Sequence, residues 1–380
     1  VSDCFDDSFD FDYRTPRFLS FADKNRLVEV ANTIAESEVN ATLLLIDTLR
    51  PDLIWHVFRT TDQLQHYLYD SKELQSTNAG YLLAHYRKVD SLIAKMIGHC
   101  PKDVTVLVVS DHGFAPLKKY FHVNNWLEKR GLLRRKRQGL PLSWTIIRLG
   151  DKMVGLIRGI GFINRLLHRI LTTGFATRLS RKAVSPLDSI DFINTQAYCP
   201  SITSQAINIL VEEETSKKSV ARDIVSALSG LQDEETGQLV MEKVVEREEI
   251  YYGRYVTNAP DVVMVAREGY VATDAFSRSG DYLCAPLSLM GVKTGDHRPE
   301  GVFIASGVGI GNNTHPNSLN VYDVTPVILQ LMGIPIPEYV DGVSTAIALS
   351  DESITSVSTS HGARQKIRDR IRRMRERKTL

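Results

Sequence analysis

The sequence predicts an α/β fold built on a mainly parallel sheet, and two features carry that prediction. First, apolar runs of strand length alternate along the chain with segments that have helical spacing of apolar residues. Second, the run VTVLVVS at residues 104–110 is rich in β-branched residues and lacks polar alternation. Such a run is typical of a strand covered on both faces, and strands that alternate with helices indicate parallel pairing.

The individual elements follow from local signals. Residues 25–50 have helical spacing and stop at Pro51, and residues 81–98 have the same spacing and end near Gly98 and Pro101. Between them, LIWHVFR at residues 53–59 has the length of a strand. The later strand-like runs are AINILV, DVVMVA and VFIAS, and the later helix-like segments are SVARDIVSALSGL and VYDVTPVILQLMG.

Charge is unevenly placed along a chain whose net charge is only +1. Residues 129–182 contain 14 Lys/Arg against one acid, and residues 361–380 contain nine against two. The first segment is apolar and basic without a strand signal, which favours a helical cap over the site rather than a membrane-surface helix. We therefore predict an α/β core at 1–128, a basic helical cap at 129–190, the core continued at 191–350 and a basic tail at 351–380.

Composition also limits the partners and the compartment. The four cysteines lack paired spacing, which argues against a disulfide framework or a Cys-based zinc site. Neither a signal peptide nor an apolar run of about 18 residues is seen, which favours the cytoplasm. The net charge makes nucleic acid an unexpected partner. The basic cap or tail is a candidate for contact with an anionic membrane surface, against the simpler interpretation of a solvated face.

The strand at 104–110 ends in Asp111, His112 and Gly113. In open α/β sheets ligands bind beyond the carboxyl ends of the strands, so this is where functional side chains are expected. Asp and His are both common zinc ligands, and glycine lets the backbone approach a ligand closely. A purely structural turn is the alternative for this motif taken alone.

A second pair of the same chemistry follows the run at 53–59. Asp62 and His66 are four residues apart, so they share one face if a helix begins near Thr61. An N-capping Asp62 with an exposed His66 is the structural alternative. His297 then stands in the polar loop GDHRPEG before the run VFIAS.

These five side chains are too many for one tetrahedral zinc ion and instead suit two metals that share a site. Two ions about 4 Å apart can stabilise the attacking and leaving oxygens of a phosphoryl displacement. We therefore expect two divalent metal ions, and the mixed nitrogen and oxygen ligands indicate zinc, with manganese as the alternative.

Four stretches together resemble the type I phosphodiesterase/nucleotide pyrophosphatase family of the alkaline phosphatase superfamily. They are FRTTDQLQHYLYD, VVSDHGFAPLKKYFHVNNWLEKRGLL, GDHRPEGVFIASG and VYDVTPVILQLMGIPIPEYVDG, and the resemblance runs from about residue 25 to 345. It implies a three-layer α/β/α sandwich, two metals and a small-molecule phosphoester substrate. By position, Asp62, His66 and His297 resemble the ligands of one metal, and Asp111 and His112 those of the second.

One expected part of the family's site has no match here. The family adds an aspartate and a nucleophilic Thr or Ser from a region well upstream of the Asp62 motif. Thr15 precedes Pro16, but its surroundings do not fit, so no nucleophile is assigned. We expect the nucleophile in a preceding segment, and a member that has lost it is the alternative.

The function predicted from the sequence is metal-dependent hydrolysis of phosphodiester or pyrophosphate bonds. Other superfamily activities, namely phosphomutase, phosphonate hydrolase or sulfatase, are alternatives, although no CxPxR motif supports a sulfatase. A non-catalytic binder of anionic partners is the alternative outside enzymes. The oligomeric state is not predicted.

Overall fold

The computed structural model describes residues 24–69, 80–136, 186–201, 205–277, 279–286, 293–311 and 319–344. Helices are numbered in chain order within these ranges. They are α1 (Lys24–Leu49), α2 (Arg59–Leu68), α3 (Gly80–His99), α4 (Val123–Lys129), α5 (Glu214–Ser229) and α6 (Val324–Leu331).

The strands within the same ranges are short. They are β1 (Val106–Val109), β2 (Gly113–Pro116), β3 (Lys119–His122), β4 (Ala197–Tyr198), β5 (Ala206–Ile209), β6 (Met241–Glu246), β7 (Val262–Ala266), β8 (Tyr270–Thr273), β9 (Leu283–Cys284), β10 (Gly295–Arg298) and β11 (Phe303–Ser306). They form a four-stranded sheet in the order β4-β5-β7-β6, a three-stranded sheet in the order β8-β3-β9, and the pairs β1-β11 and β10-β2.

The helix signals in the sequence predicted real helices. α1 ends one residue before Arg50, whose φ of 45° turns the chain into Pro51, and proline cannot continue the helical hydrogen bonding. Asp323, which directly precedes α6, is buried and accepts hydrogen bonds from the backbone N–H groups of Asn320 and Val343, each at 2.8 Å. These helix predictions are confirmed because their signals are local.

The mainly parallel sheet is not confirmed by the described strands. β3 pairs with β8 in parallel, but β1-β11, β3-β9, β4-β5, β5-β7 and β6-β7 are antiparallel. The expectation that residues 104–110 are covered on both faces is also wrong, since none of the β1 side chains is buried. An apolar run records burial preference but not the direction of the partner strand.

The predicted strand at residues 53–59 is wrong. The chain from Pro51 to Phe58 forms no strand, and α2 already begins at Arg59. The side chains of the segment alternate in exposure as in a strand, with Leu53, Trp55 and Val57 exposed, and Trp55 at 68%. Strand formation requires a backbone partner as well as this alternation, and none of the described strands pairs with the segment.

The chain divides into two compact units: residues 1–42, 51–89 and 114–296 form the first, and residues 43–50, 90–113 and 297–380 the second. The first unit contains the larger apolar core, which lies around the four-stranded sheet, α4 and α5 and includes the fully buried Phe121, Leu127 and Ile207. A smaller core joins α1, α2 and α3 through residues such as Leu27, Leu64 and Leu82.

A buried carboxylate secures β3 and β8 in the first unit. Asp233 accepts hydrogen bonds from Lys119 Nζ and from the Tyr270 hydroxyl, both at 2.8 Å. A buried charge is costly unless it is paired and hydrogen-bonded, so these two partners offset the cost of burying the Asp233 carboxylate. Lys119 and Tyr270 are register partners at the start of the parallel pair.

Several predictions fall on residues outside the described ranges. These are most of the basic cap at 129–190, the basic tail at 351–380, and Thr15. The domain scheme built on the cap and tail therefore stays a prediction. No helix in the described part of the chain is long and apolar enough to cross a membrane. Cys100, Cys199 and Cys284 are free thiols.

The interface between α1 and α3 contains a buried histidine. The His85 ring is fully buried, and its Nδ1 lies 2.8 Å from Asn32 Oδ1, while Nε2 has no hydrogen-bond partner in the described structure. Burial lowers the pKa of His85 from 6.5 to about 4, because the charged ring loses its hydration.

The His85 environment predicts acid sensitivity. As pH falls below 6.5 the unfolded chain takes up the proton first, so stability is full above that value and declines until about pH 4. Between pH 7 and 5 the free energy of unfolding is expected to fall by roughly 1–2 kcal/mol more in the wild type than in His85→Gln. Urea unfolding at several pH values measures both slopes, and equal slopes would contradict a neutral buried ring.

Candidate metal centre

The helix α2 places Asp62 and His66 on one face. It begins at Arg59, so the two side chains are one turn apart, and His66 Nε2 lies 3.6 Å from Asp62 Oδ1. Asp62 does not cap the helix, since the N-cap is Phe58 and has no side-chain capping bond. The capping alternative is therefore wrong, and both side chains are partly buried rather than exposed.

The backbone at residues 294–295 fixes the His66 ring. His66 Nδ1 lies 3.1 Å from the Gly295 carbonyl oxygen, and the Thr294 N–H donates to the His66 carbonyl at 2.8 Å. A carbonyl can only accept, so Nδ1 carries the proton and Nε2 presents a lone pair in the neutral ring. Histidine ligands of metals are commonly oriented in this way by a bond to their second nitrogen.

His297 completes the group. One ligand atom from each of Asp62, His66 and His297 lies within 4.8 Å of the other two. Ligand atoms around tetrahedral zinc are about 3.4 Å apart, given bonds of about 2.0–2.1 Å, so modest side-chain movement would close the set. One carboxylate and two imidazoles, with the His66 lone pair already directed at Asp62, fit a zinc ion chemically.

The second predicted pair is more exposed. His112 Nε2 lies 3.5 Å from Asp111 Oδ1, and the Asp111 side chain is 81% exposed. His112 Nδ1 lies 3.2 Å from the Gly113 carbonyl oxygen, so this ring also presents Nε2. The His112 and His297 rings are stacked, with centroids 3.6 Å apart. The structure thus brings His112 to His297, whereas Asp111 contacts His112 without joining the three-residue group.

Aromatic side chains shield the His66 ring. Phe114 lies edge-on to it, with centroids 5.0 Å apart, and Tyr69 stacks on Phe114 at 6.3 Å. Burial lowers the pKa of His66, and the Lys293 ammonium lowers it further, against the raising effects of the Gly295 bond and of Asp62. Each of these effects has a local cause, and burial is the largest.

Sequence reasoning missed two charged neighbours of this centre. Lys293 and Asp296 form a loose ion pair, with Nζ to Oδ2 at 4.0 Å, on either side of the Thr294–Gly295 backbone that contacts His66. Asp296 also raises the pKa of Tyr120, where burial is the larger cause. The sequence signal was their place in the polar stretch KTGDHR, which was interpreted as a loop; it does not reveal that Gly295–Arg298 forms β10 or that this stretch contacts α2.

The other described histidines contact groups outside the three-residue set. His56 contacts Thr42 Oγ1 at 2.9 Å, His99 contacts Asp47 Oδ1 at 2.8 Å, and His122 Nδ1 donates to the Ala275 carbonyl at 2.8 Å. His168, His315 and His361 lie outside the described residues.

Helices, short sheets and a mixed carboxylate–imidazole group define an α/β protein with a candidate metal-binding site. Comparison with known proteins identifies the family within this class. The family model for type I phosphodiesterase / nucleotide pyrophosphatase matches residues 3–293, and the chain belongs to this family. The match includes Asp62, His66, Asp111 and His112 and stops short of His297. The comparison with curated proteins found no match.

Membership in the family indicates the fold, the type of hydrolase and the dependence on metal. The family has the alkaline phosphatase-like α/β fold. It supports a phosphodiesterase- or pyrophosphatase-type hydrolase acting on phosphoester small molecules, and it is typically metal-dependent. The resemblance seen in the sequence is therefore confirmed at the level of the family.

Gly295 offers a test of the backbone support for His66. A Cβ at this position would lie 2.6 Å from Tyr69 Cβ and 2.7 Å from the Gln65 carbonyl oxygen. We expect Gly295→Ala to lower the free energy of unfolding by about 1–3 kcal/mol and to weaken zinc binding, because β10 must move away from α2.

The matched control is Gly98→Ala in α3, where a Cβ would meet nothing within 4 Å. It should leave zinc affinity unchanged and raise stability by at most about 1 kcal/mol, the usual gain of alanine over glycine in a helix. Urea unfolding and zinc titration measure both effects. Equal behaviour of the two variants would show that the close approach at Gly295 does not support the centre.

Proposed function

We propose that this chain is a metal-dependent hydrolase of phosphodiester or pyrophosphate bonds that acts through a two-metal centre. The observation that carries the proposal is the grouping of Asp62, His66 and His297, whose ligand atoms lie within 4.8 Å of one another. Membership in the type I phosphodiesterase family gives this group its expected chemistry.

In the proposed centre Asp62, His66 and His297 hold one zinc ion, and Asp111 and His112 hold the second. Two observations support the second assignment. The Nδ1 atom of His112 is engaged by a backbone carbonyl, as it is in His66, and the His112 ring is stacked on His297. The two ions would neutralise charge on the phosphoryl oxygens and polarise the bond that breaks.

The remaining contributions come from side chains of the chain itself. Asp62 and His66 are held on one helical face, so they offer an oxygen and a nitrogen in a fixed relation. The packing of Phe114 and Tyr69 keeps water from one side of His66, and a lower local polarity strengthens the attraction between metal ligands and ion.

The nucleophile is not assigned. Thr60 and Thr61 precede Asp62, but the Thr60 hydroxyl is buried and Thr61 donates its hydroxyl hydrogen to the Phe58 carbonyl at 2.8 Å. Neither hydroxyl is therefore proposed as the attacking group. The proposal further includes zinc as the metal, with manganese as the alternative, and an anionic membrane surface as a partner of the basic cap or tail.

Metal analysis of the purified chain tests the centre. We expect about two zinc ions per wild-type chain, because five side chains are divided between two incomplete ligand sets, and about one ion fewer in Asp62→Asn, which loses a charged ligand. Hydrolysis of bis-p-nitrophenyl phosphate should disappear on chelation, return with added zinc, and fall by at least about 100-fold in Asp62→Asn.

His99→Gln is the matched control, because His99 also contacts a carboxylate, that of Asp47, outside the three-residue group. This variant should keep the wild-type zinc content and turnover. A wild-type chain that binds no zinc would contradict the centre. Two bound zinc ions with no turnover would agree with a nucleophile supplied by a preceding segment and would contradict a nucleophile among the residues of this chain.

A further inference from the structure

Ser110 ends the antiparallel pair of β1 and β11 in an irregular way. The last paired residues are Val109 and Phe303, so the next pair would be Ser110 and Val302. The Ser110 N–H donates to the Val302 carbonyl at 2.9 Å, as regular pairing requires. The Val302 N–H, however, donates to the Ser110 hydroxyl oxygen at 2.7 Å. The side chain of Ser110 thus accepts the hydrogen bond that its own carbonyl would accept in a regular ladder.

This exchange of acceptors lets the chain leave the strand directly after Ser110. Because the hydroxyl satisfies the Val302 N–H, the peptide between Ser110 and Asp111 can turn away from β11 without costing that donor its partner. The next two residues, Asp111 and His112, are the pair proposed for the second metal ion. Ser110 therefore stands where the chain changes direction into that pair.

Two glycines let the turn after β1 pack closely against the segment before β11. A Cβ on Gly301 would lie 2.5 Å from the Ser110 hydroxyl oxygen and 3.7 Å from the His112 carbonyl carbon. A Cβ on Gly113 would overlap the Glu300 carbonyl oxygen. The two backbones are in direct contact here, so a shift at Ser110 has little room to be absorbed before it reaches His112.

The segment that contains Val302 also begins with a residue of the three-residue group. His297 lies at the start of that segment, and its ring is stacked on the His112 ring with centroids 3.6 Å apart. The turn after β1 is thus joined to this segment at two places, by the Ser110 hydroxyl and by the ring stack. Together these contacts set the position of His112 relative to His297.

We propose that Ser110 is a positioning residue of the candidate metal centre, acting through the Val302 backbone to hold Asp111 and His112 beside His297. The inference rests on the proposed function for the metal ions, and it adds the residue that relates the two ligand sets. In Ser110→Ala the carbonyl at this position becomes the available acceptor for the Val302 N–H. We expect the ladder then to extend by one residue and the His112 ring to move away from His297.

A purely structural role would give a different pattern. The hydroxyl would then only stabilise the β1–β11 pair, and another hydroxyl bonded to the same pair would have the same effect. Thr105 is the matched control, because its hydroxyl donates to the Val308 carbonyl at 2.6 Å at the other end of the pair. Ser110→Ala and Thr105→Val each lose one exposed hydrogen bond to the backbone, so they should lower the urea midpoint similarly.

Zinc titration of the full 380-residue chain tests the proposal. The binding step that is lost in His112→Gln identifies the second ion. We expect Ser110→Ala to weaken that step about tenfold, as for other residues that orient metal ligands, and to leave the other step unchanged. Ser110→Thr keeps the hydroxyl acceptor and should stay within about threefold of the wild type. Thr105→Val should bind both ions as the wild type does.

Proton NMR of the histidine rings in the zinc-free chain is a second readout that requires neither metal nor turnover. Stacked rings shift each other's ring protons, so Ser110→Ala should move the signals of His112 and His297, whereas Thr105→Val should leave them in place. Single His→Gln variants at positions 112 and 297 assign the two signals.

Two results would overturn the inference: wild-type ring signals in Ser110→Ala, or equal weakening of the second zinc step in Ser110→Ala and Thr105→Val. A wild-type chain that binds no zinc would contradict the proposed metal centre, while ring signals displaced only in Ser110→Ala would still support the positioning role. Zinc binding that depends on Ser110 would support the inference whether or not this chain hydrolyses bis-p-nitrophenyl phosphate.

Discussion

His66 is bonded to one short stretch of backbone through both its carbonyl and its ring. The Thr294 N–H contacts the His66 carbonyl and the Gly295 carbonyl contacts Nδ1, so the end of α2 and the start of β10 are held in one register. The ring tautomer follows from the bond at Nδ1, which leaves Nε2 3.6 Å from Asp62 Oδ1. Gly295 is necessary because any larger residue would collide with α2.

The part of the centre that could be predicted is the part encoded locally. Asp62 and His66 are four residues apart, and the spacing alone places them on one helical face. By contrast, His66 and Gly295 are 229 positions apart, and no periodicity or composition links them. Lys293 was missed for the same reason, since its position in a polar stretch does not reveal that the following backbone contacts α2.

In the fold, too, features set by neighbouring residues were predicted and contacts between distant residues were not. Most of the described helices were predicted because the spacing of apolar residues and the glycine and proline signals lie within each segment. Four predicted runs, for example at Val106–Val109 and Val262–Ala266, form strands, but the other seven described strands and the strand partners were not predicted. Val106–Val109 pairs in an antiparallel direction with a strand nearly 200 residues later, and an apolar run contains no information about that direction. The strand prediction for residues 53–59 rested on the length of an apolar run, which does not specify whether a pairing strand exists.

Leu53, Trp55 and Val57 have a consequence for the behaviour of the protein at high concentration. They form an exposed apolar row outside the described sheets, and exposed apolar surface favours contact between molecules. Encounters between two copies are second order in protein, so self-association through this row would grow with the square of concentration while folding within one chain would not. Sample concentration during purification thus becomes a determinant of solubility. The segment responsible contains none of the proposed metal ligands.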